Sequence, residues 1–444
     1  MTRVLARVNG EQTVNITTQF ARPDKRLLPI FPLGSPQKYG EADVADIVDL
    51  AVVRRASSRD AAVARVRADA PVAREPALLP LTSVDISEWR GLSGRAIEPN
   101  GYYLPDWELA VNASASGRTG ASTLAAWNSD GLIGLMPVVA LSRATKIPLP
   151  ALASAHPYGT LCTPLIDRTA AEDAAQLMMQ AARNAGARAL VLREVALDGG
   201  ALKAFNRVLR GEGLRSRTLN WHLRASLDAT RKADELLQEA LSGKKLKELR
   251  RQRQRLSEHG EVRFDVARSP RDVAAALEIF LQLEASGWKG ERGTALAQVE
   301  GDAAFIRRAT EGLAENRQCE IVTLRAGTTP VASGIVLRHQ TRAFFFKIGV
   351  DERFAKYSPG VQLTLDLTRH LCADPAIASA DSTASPDNPM INPIWRGRFA
   401  IGDVLIPLRQ NDPVVAMIHA ALAVRQSARN TARRGVRFIR ALKR

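Results

Sequence analysis

Cysteine is scarce: Cys162, Cys319 and Cys372 are the only three in 444 residues, and they lie far apart without paired spacing. This excludes a disulfide framework and a sulfur-rich metal site, and it points to a reducing compartment. Histidine is scarce too. His156, His222, His259, His339, His370 and His419 form neither HExxH nor another close ligand pair, so no metal is expected. No GxGxxG follows a strand pattern and no GxxxxGK[ST] occurs, which removes the usual cradles for dinucleotides and nucleoside triphosphates. The strongest apolar stretches, Gly131 to Leu141 and Val414 to Val424, fall short of the roughly 20 residues that cross a bilayer. Near the amino end, Arg3 and Arg7 are followed by polar residues instead of the apolar core of a secretion signal. The expected location is the cytoplasm.

What the chain does contain is enough apolar material, 45% of residues, to build real cores. Its length suggests two or three domains. Lys and Arg number 62 against 46 Asp and Glu, and this formal charge of +16 favours an anionic partner such as phosphate, nucleic acid or a lipid headgroup.

Residues 1–80 carry repeated turn formers, among them Pro23, Pro29, Pro32, Gly34 and Pro36, around a short helix pattern from Ala42 to Ala70. They read as an accessory region. From 81 to 228 the pattern gives a helix start at Ser83 to Leu92, and a hairpin of Ala121 to Trp127 and Leu132 to Ala140 about an Asn-Ser-Asp-Gly turn. A helix over Ala171 to Ala185 and strands at Ala189 to Val195 and Trp221 to Ala225 follow. A domain boundary is expected near residue 228.

Residues 229–410 open with one long polar helix, Arg231 to His259, followed by a strand at Val262 to Ala267 and helices at Asp272 to Gly287 and Phe305 to Glu315. Cys319 to Arg325, Val331 to His339 and Ala343 to Val350 are three strands with tight connections, an antiparallel meander. A helix over Val361 to Leu371 and strands at Ile377 to Ser382 and Phe399 to Leu408 complete it. The expected class is α+β, with a mixed, mostly antiparallel sheet flanked by helices in each of two similar halves.

The segment Phe344 to Leu371 carries the clearest chemistry: a strand stops, a loop follows, and a helix begins at Pro359-Gly360. A helix start leaves backbone N–H groups free to meet a phosphate, and glycine permits close approach. This reading makes Ser358, Gly360, Val361 and Gln362 a pyrophosphate site, with Lys347, Arg353 and Lys356 as outer charges; an ordinary strand-to-helix turn is the alternative. A second basic signal is Ser242 to Gly260, where Lys247, Arg250, Arg251 and Arg255 share a helix face and suit either a phosphate-rich partner or solvent.

Gly243 through Phe264, Leu283 to Gly290 with Trp288, and Phe344 to Asp351 with Tyr357 to Gly360 together resemble the GNAT-type acetyltransferase domain of the CelD-like, cellulose-biosynthesis-associated family. Glu88, Trp89, Leu92, Asn100, Tyr103, Pro105 and Trp107, then Leu132 to Pro137, are similar to the opening of these proteins. The resemblance spans about residues 81–408 and implies two tandem GNAT-like domains, a plan shared with the FemAB peptidyltransferases. It further implies acetyl-CoA or another acyl-CoA as co-substrate. The pyrophosphate would lie at the start of the Val361 helix, the pantetheine would run along the Phe344 to Val350 strand, and Ile377 to Ser382 would be a splayed neighbour. Backbone N–H groups of Phe346, Lys347 and Ile348 would then face the oxygen that gains charge. An acceptor amine must attack neutral, which calls for a base. Asp381 and Glu284 are the leading candidates, ahead of Asp351 and His370, and Trp288 is placed on the acceptor side. Relatives carry an aromatic and a lysine ahead of the final strands. Trp395 matches the aromatic, the lysine has no match, and Arg396 or Arg398 would have to replace its charge.

From Pro413 onward there is no acidic residue, and Arg425, Arg429, Arg433, Arg434, Arg437, Arg440, Lys443 and Arg444 contribute eight positive charges. The first half of this segment is apolar enough to dock on the protein, and the second half suits an anionic membrane surface or nucleic acid, which would make the protein peripheral to the inner membrane face. The functional expectation is acyl transfer from CoA to an amine of a sugar, small molecule or envelope precursor. The alternatives are an aminoacyl-tRNA-dependent ligase of the FemAB type and a non-catalytic binding protein of the same fold in polysaccharide biosynthesis.

Overall fold

Alternating apolar positions put every other side chain of a strand on the same face, and here both faces are covered. Ile321, Ile335 and Leu337 enter one core while Val322, Leu324 and Val336, one residue out of step, enter another. A computed structural model describes residues 75–442, so the Ala42 to Ala70 helix lies outside the described residues. Residues 75–228 supply β1 (Ala77–Pro80), α1 (Ile86–Arg95), α2 (Pro105–Ser114), β2 (Ser122–Asn128), β3 (Gly131–Ala140) and α3 (Leu141–Thr145). They continue with β4 (Ala151–Ser154), β5 (Leu165–Ile166), α4 (Ala171–Asn184), β6 (Ala189–Ala196), α5 (Gly200–Gly211) and β7 (Arg217–Asp228). The remainder is α6 (Ala233–Ala240), α7 (Gly243–Leu256), β8 (Val262–Ala267), α8 (Pro270–Ser286), α9 (Trp288–Glu291), α10 (Glu300–Glu315), β9 (Cys319–Ala326), β10 (Thr329–His339) and β11 (Arg342–Val350). Then come α11 (Pro359–Ala373), β12 (Ser379–Asp381), β13 (Gly397–Pro407) and α12 (Pro413–Leu442).

The strands join into one 13-stranded sheet ordered β1-β2-β3-β4-β6-β13-β7-β12-β11-β10-β9-β8, with β5 beside β3. Each half repeats one unit. In the first, β4 is followed by the crossover helix α4 and the parallel strand β6; in the second, β11 is followed by α11 and the parallel β12. The halves are interlocked. β7 ends at residue 228, the expected boundary, yet β13 from the far end of the second half inserts between β6 and β7, and β7 pairs with β12.

The helix expected over Arg231 to His259 is broken. Leu241 is extended at φ −119°, ψ 134°, and the Ser242 hydroxyl accepts from the Lys245 N–H to start α7 anew. Helices α2 and α5 were absent from the sequence reading. The three largest hydrophobic cores fill the layers. Helices α4 and α5 cover one face of the first half, α7 and α11 continue that layer over the second, and Tyr102, Trp107, Phe280, Phe305 and Phe344 meet where the halves join on the other face.

Candidate functional site

β11 ends at Val350, and Asp351 turns the chain by accepting from the Arg353 N–H at 3.0 Å. Its pair with the Arg353 guanidinium holds the Asp351 carboxyl below the usual range. Ser358 then takes the left-handed conformation, φ +53°, and Pro359 begins α11 without needing an N–H. The Gln362 N–H already donates to the Ser358 carbonyl at 3.0 Å, so the first-turn donors are those of Gly360 and Val361. The Gln362 side chain donates to the Leu249 carbonyl at 2.8 Å and is buried between α7 and α11. This helix start does face β11: a Cβ on Gly360 would lie 3.3 Å from Val350 and 3.5 Å from Ile348. It would also lie 3.1 Å from Met390 Sδ, which stands over the same spot. Of the outer charges, Arg353 is spent on Asp351, and Lys356 lies 4.9 Å over the Tyr357 ring.

Beside this helix end, β11 and β12 part. They pair at Arg342–Ser379, Ala343–Ala380 and Phe344–Asp381 only, after which β12 ends and the Thr383 hydroxyl donates to the Phe345 carbonyl at 2.6 Å. On the opposite side β11 bulges. Val336 pairs with Phe345 and Ile335 with Lys347, so Phe346 has no partner in register on β10. Phe344 and Phe345 are buried, whereas Phe346, Lys347 and Ile348 are half-exposed. The three residues expected to line a thioester therefore form a half-buried stretch of the strand, its lip, with Phe346 packed against one core and Ile348 against another.

Two of the three candidate catalytic residues flank this lip, each already holding a cation. Glu284 on α8 is buried, with Lys347 Nζ 3.2 Å from Oε1 and the Leu296 N–H 3.0 Å from Oε2. Asp381 is buried against Arg224 at 2.5 Å and also accepts from the Thr383 N–H at 2.9 Å. Arg224, itself 1% exposed, donates further to Thr160, at 2.7 Å to the carbonyl and 2.8 Å to the hydroxyl. Trp288 opens α9, directly after α8 and Gly287. Trp395 is a core residue, its indole N–H donating to Thr368 at 2.9 Å. Arg396 and Arg398 donate to backbone carbonyls of Glu239, Trp395 and Gly397.

Sequence reasoning missed the residues that the first half sends into this region. Tyr158 stacks on Phe305 at 4.9 Å, lies 6.4 Å from Phe346, and carries Arg118 4.2 Å above its ring. Its hydroxyl donates to Asp302 at 2.6 Å, and burial together with that carboxylate pushes the phenol well above its ordinary range. Lys347 Nζ lies 5.8 Å from the same ring. The one available signal was the Pro157-Tyr158-Gly159 context. Glycine there is required by close approach, since a Cβ on Gly159 would stand 2.2 Å from the Tyr102 ring.

The loop bearing Tyr158 also fills the corresponding position of the first half. Where β4 and β6 part, the Ser154 hydroxyl accepts from the Arg193 N–H at 3.1 Å, the Cys162 N–H donates to the Glu194 carbonyl at 3.1 Å, and Thr163 accepts from the Ala196 N–H at 3.3 Å. Burial pushes the Cys162 thiol up, against nucleophilic use. The first-half parting is thus packed with its own chain, and the second-half parting is the one with a half-exposed lip. A cavity of about 800 Å³ lies at the other end of α11, where Arg268, Arg317 and Arg338 are balanced by Glu315, Glu320 and Asp374. Among the described residues no group of three or more His, Cys, Asp or Glu could hold a metal.

Residues 243–387 match the model of an acetyltransferase (GNAT) domain. No curated protein sequence matches the chain. Among solved structures, the fold is similar to that of FemX at a TM-score of 0.50 and 11% identity, over 76% of this chain and 98% of that one. A C-terminal domain of a putative lysylphosphatidylglycerol synthetase from Agrobacterium fabrum aligns at TM-score 0.46 and 15% identity, over 76% of this chain and 95% of that one. A tandem GNAT protein from clavulanic acid biosynthesis aligns at 0.37 and 14%, over 76% and 100%. The chain is an α+β protein of two tandem GNAT-like halves, and the stretch that matches the acetyltransferase (GNAT) domain model, residues 243–387, lies in the second of them.

Proposed function

We propose that the second half is an acyl-CoA-dependent N-acyltransferase acting on an amine of a sugar, small molecule or envelope precursor. The observation that supports this reading is the parting of β11 from β12 beside the start of α11, with Phe346, Lys347 and Ile348 half-exposed there. In this reading the amine nitrogen attacks the thioester carbon, the C–N bond forms, the C–S bond breaks, and the thiolate leaves and takes up a proton. The Gly360 and Val361 N–H groups suit the pyrophosphate, with the Met390 side chain swinging aside, and the bulged edge of β11 suits the thioester oxygen. Ser358 sits at the same turn, whereas Gln362 contributes by fixing α11 on α7. Of the two acids, Glu284 is the better placed to govern the acceptor amine, since its partner Lys347 reaches the lip while Asp381 is sealed under Arg224. Trp288, the first residue of α9, is assigned to the acceptor side. Titration calorimetry with acetyl-CoA and longer acyl-CoAs tests the reading. Heat no greater than that of a buffer control for every acyl-CoA rejects it.

A second reading, an aminoacyl-tRNA-dependent ligase of the FemAB type, draws support from the exposed cations of α7, Lys244, Lys247, Arg250, Arg251 and Arg255. Unaltered tRNA mobility in its presence at low salt removes it. A non-catalytic binding protein of the same fold in polysaccharide biosynthesis is removed by release of free thiol in the presence of an amine acceptor.

A further inference from the structure

Helix α12 begins on the protein and leaves it. Val415 and Ile418 are buried beside Leu141, Val191 and Leu405, Leu422 packs against the same cluster, and the Arg425 guanidinium donates to the Thr145 carbonyl. Around Arg425 the helix comes out into solvent: Val424 is 69% exposed, and Ser427, Ala428 and Arg429 are exposed, while the helical backbone continues to Leu442. Those further turns extend the helix by about 25 Å at 1.5 Å per residue.

The sequence of this extension has two arcs. At about 100° per residue, Val424, Ala428, Ala432, Val436, Ile439 and Leu442 fall along one side of the helix, and Arg429, Arg433, Arg437 and Arg440 fall along the side next to it. No carboxylate from Pro413 onward offsets the charge. No helix among the described residues is long and apolar enough to cross a membrane. We infer that α12 beyond Arg425 lies in the plane of an anionic lipid surface, its apolar arc among the acyl chains and its arginines at the headgroups. This inference stands apart from the acyl-transfer reading, since it rests on α12 alone. A nucleic acid satisfies the arginines equally well, but it leaves the neighbouring apolar arc in water, and a lipid interface accepts both arcs together.

Sedimentation of the full chain with phosphatidylcholine vesicles containing about one third phosphatidylglycerol, with pure phosphatidylcholine vesicles, and titration of a DNA duplex test this. The parent binds the anionic vesicles at least about a hundredfold more tightly than the neutral ones, and raising the salt weakens that binding. Joint replacement Arg429→Gln, Arg433→Gln, Arg437→Gln and Arg440→Gln lowers it by about a hundredfold or more, since each basic residue near such a surface is worth roughly fivefold. Val436→Ser with Ile439→Ser lowers vesicle binding at least tenfold and leaves DNA binding unchanged. All these positions lie past the last core residue of α12, so the melting temperature holds and serves as the folding control. Equal binding to both kinds of vesicle, or vesicle binding indifferent to either variant, overturns the inference. Tight DNA binding with indifference to the serine pair assigns the helix to nucleic acid instead.

Discussion

Gly349 of β11 lies directly under Glu284 of α8: a Cβ on Gly349 would stand 2.9 Å from the Glu284 backbone nitrogen and 3.1 Å from Leu283 Cβ. That close seat of helix on strand carries the Glu284 carboxylate to Lys347, two residues back along β11. Gly349→Ala forces the two apart. It is expected to lower stability by about 1–3 kcal/mol, as overpacking does, and to weaken any reaction that uses the pair. Denaturant unfolding reads the first effect, and KM for the acceptor reads the second.

The Glu284–Lys347 pair separates charge from packing. Glu284→Gln keeps the shape but leaves the Lys347 ammonium without its buried counter-charge, and a loss on the order of 3 kcal/mol is expected. Adding Lys347→Met restores much of that stability. If the pair serves the acceptor amine, activity stays at least tenfold down in the double variant. Recovery of activity along with stability assigns the pair to structure alone.

Arg224 and Asp381 predict a sharper asymmetry. Both are about 1% exposed, so Asp381→Asn strands a guanidinium and is expected to cost about 3–5 kcal/mol, whereas Arg224→Met with Asp381→Leu costs less. A double-mutant cycle by chemical denaturation measures the difference. Additive losses contradict this account.

Two buried groups set separate acid limits. His339 joins the halves, accepting from the Asn100 N–H at 2.8 Å and donating to the Ser93 carbonyl at 2.9 Å, which fixes it as the neutral imidazole. Burial pulls it down from 6.5 to about 4, despite those two backbone bonds. The unfolded chain binds the proton first. His339 therefore contributes about 3 kcal/mol that is present above pH 6.5 and is lost as pH falls to about 4. His156, drawn down to about 4 by burial and by Arg193 and Arg118, acts in the same window, so His339→Gln lessens the slope there without abolishing it. Unfolding midpoints across pH 7 to 4 check this, and an identical slope in the variant refutes it.

The lower window belongs to Glu320. Burial alone raises its carboxyl, but hydrogen bonds from His370 at 2.8 Å and Arg268 at 3.0 Å and the charge of Arg338 outweigh it and hold it at about 2. Its contribution is complete above the unfolded carboxyl value of about 4.3 and is lost as pH falls through about 2. Glu320→Gln removes that slope, read from the same midpoints taken below pH 4.5.

Gly360 and Met390 address the acyl-carrier reading. Gly360→Val fills the space between Met390, Val350 and Ile348 and is expected to weaken acetyl-CoA binding at least tenfold, an effect of steric exclusion at a close backbone approach. Met390→Ala opens that space and is expected to leave affinity equal or higher. Calorimetry that finds Gly360→Val indistinguishable from the parent moves the phosphates elsewhere.

What local chemistry can set was readable in the residues alone. The Asn128 to Gly131 turn, the β9-β10-β11 meander, the strand at Val262 to Ala267 and the Pro359-Gly360 helix start depend on alternation and turn residues within about ten positions of one another. The choice of Phe346, Lys347 and Ile348 came from the family resemblance and not from local alternation. The break at Leu241 was overlooked because Leu236, Leu237, Leu246 and Leu249 keep helical spacing on both sides of a Ser-Gly start. Only the tertiary structure decided that β13 enters the first half between β6 and β7, that Arg224 meets Asp381 across 157 positions, and that Tyr158 crosses to Phe305 and Lys347. Such contacts leave no periodic trace. They depend on which apolar faces close on one another once the sheet has formed, and on buried charges then finding partners, a choice made by packing across the whole chain and not by any short segment of it.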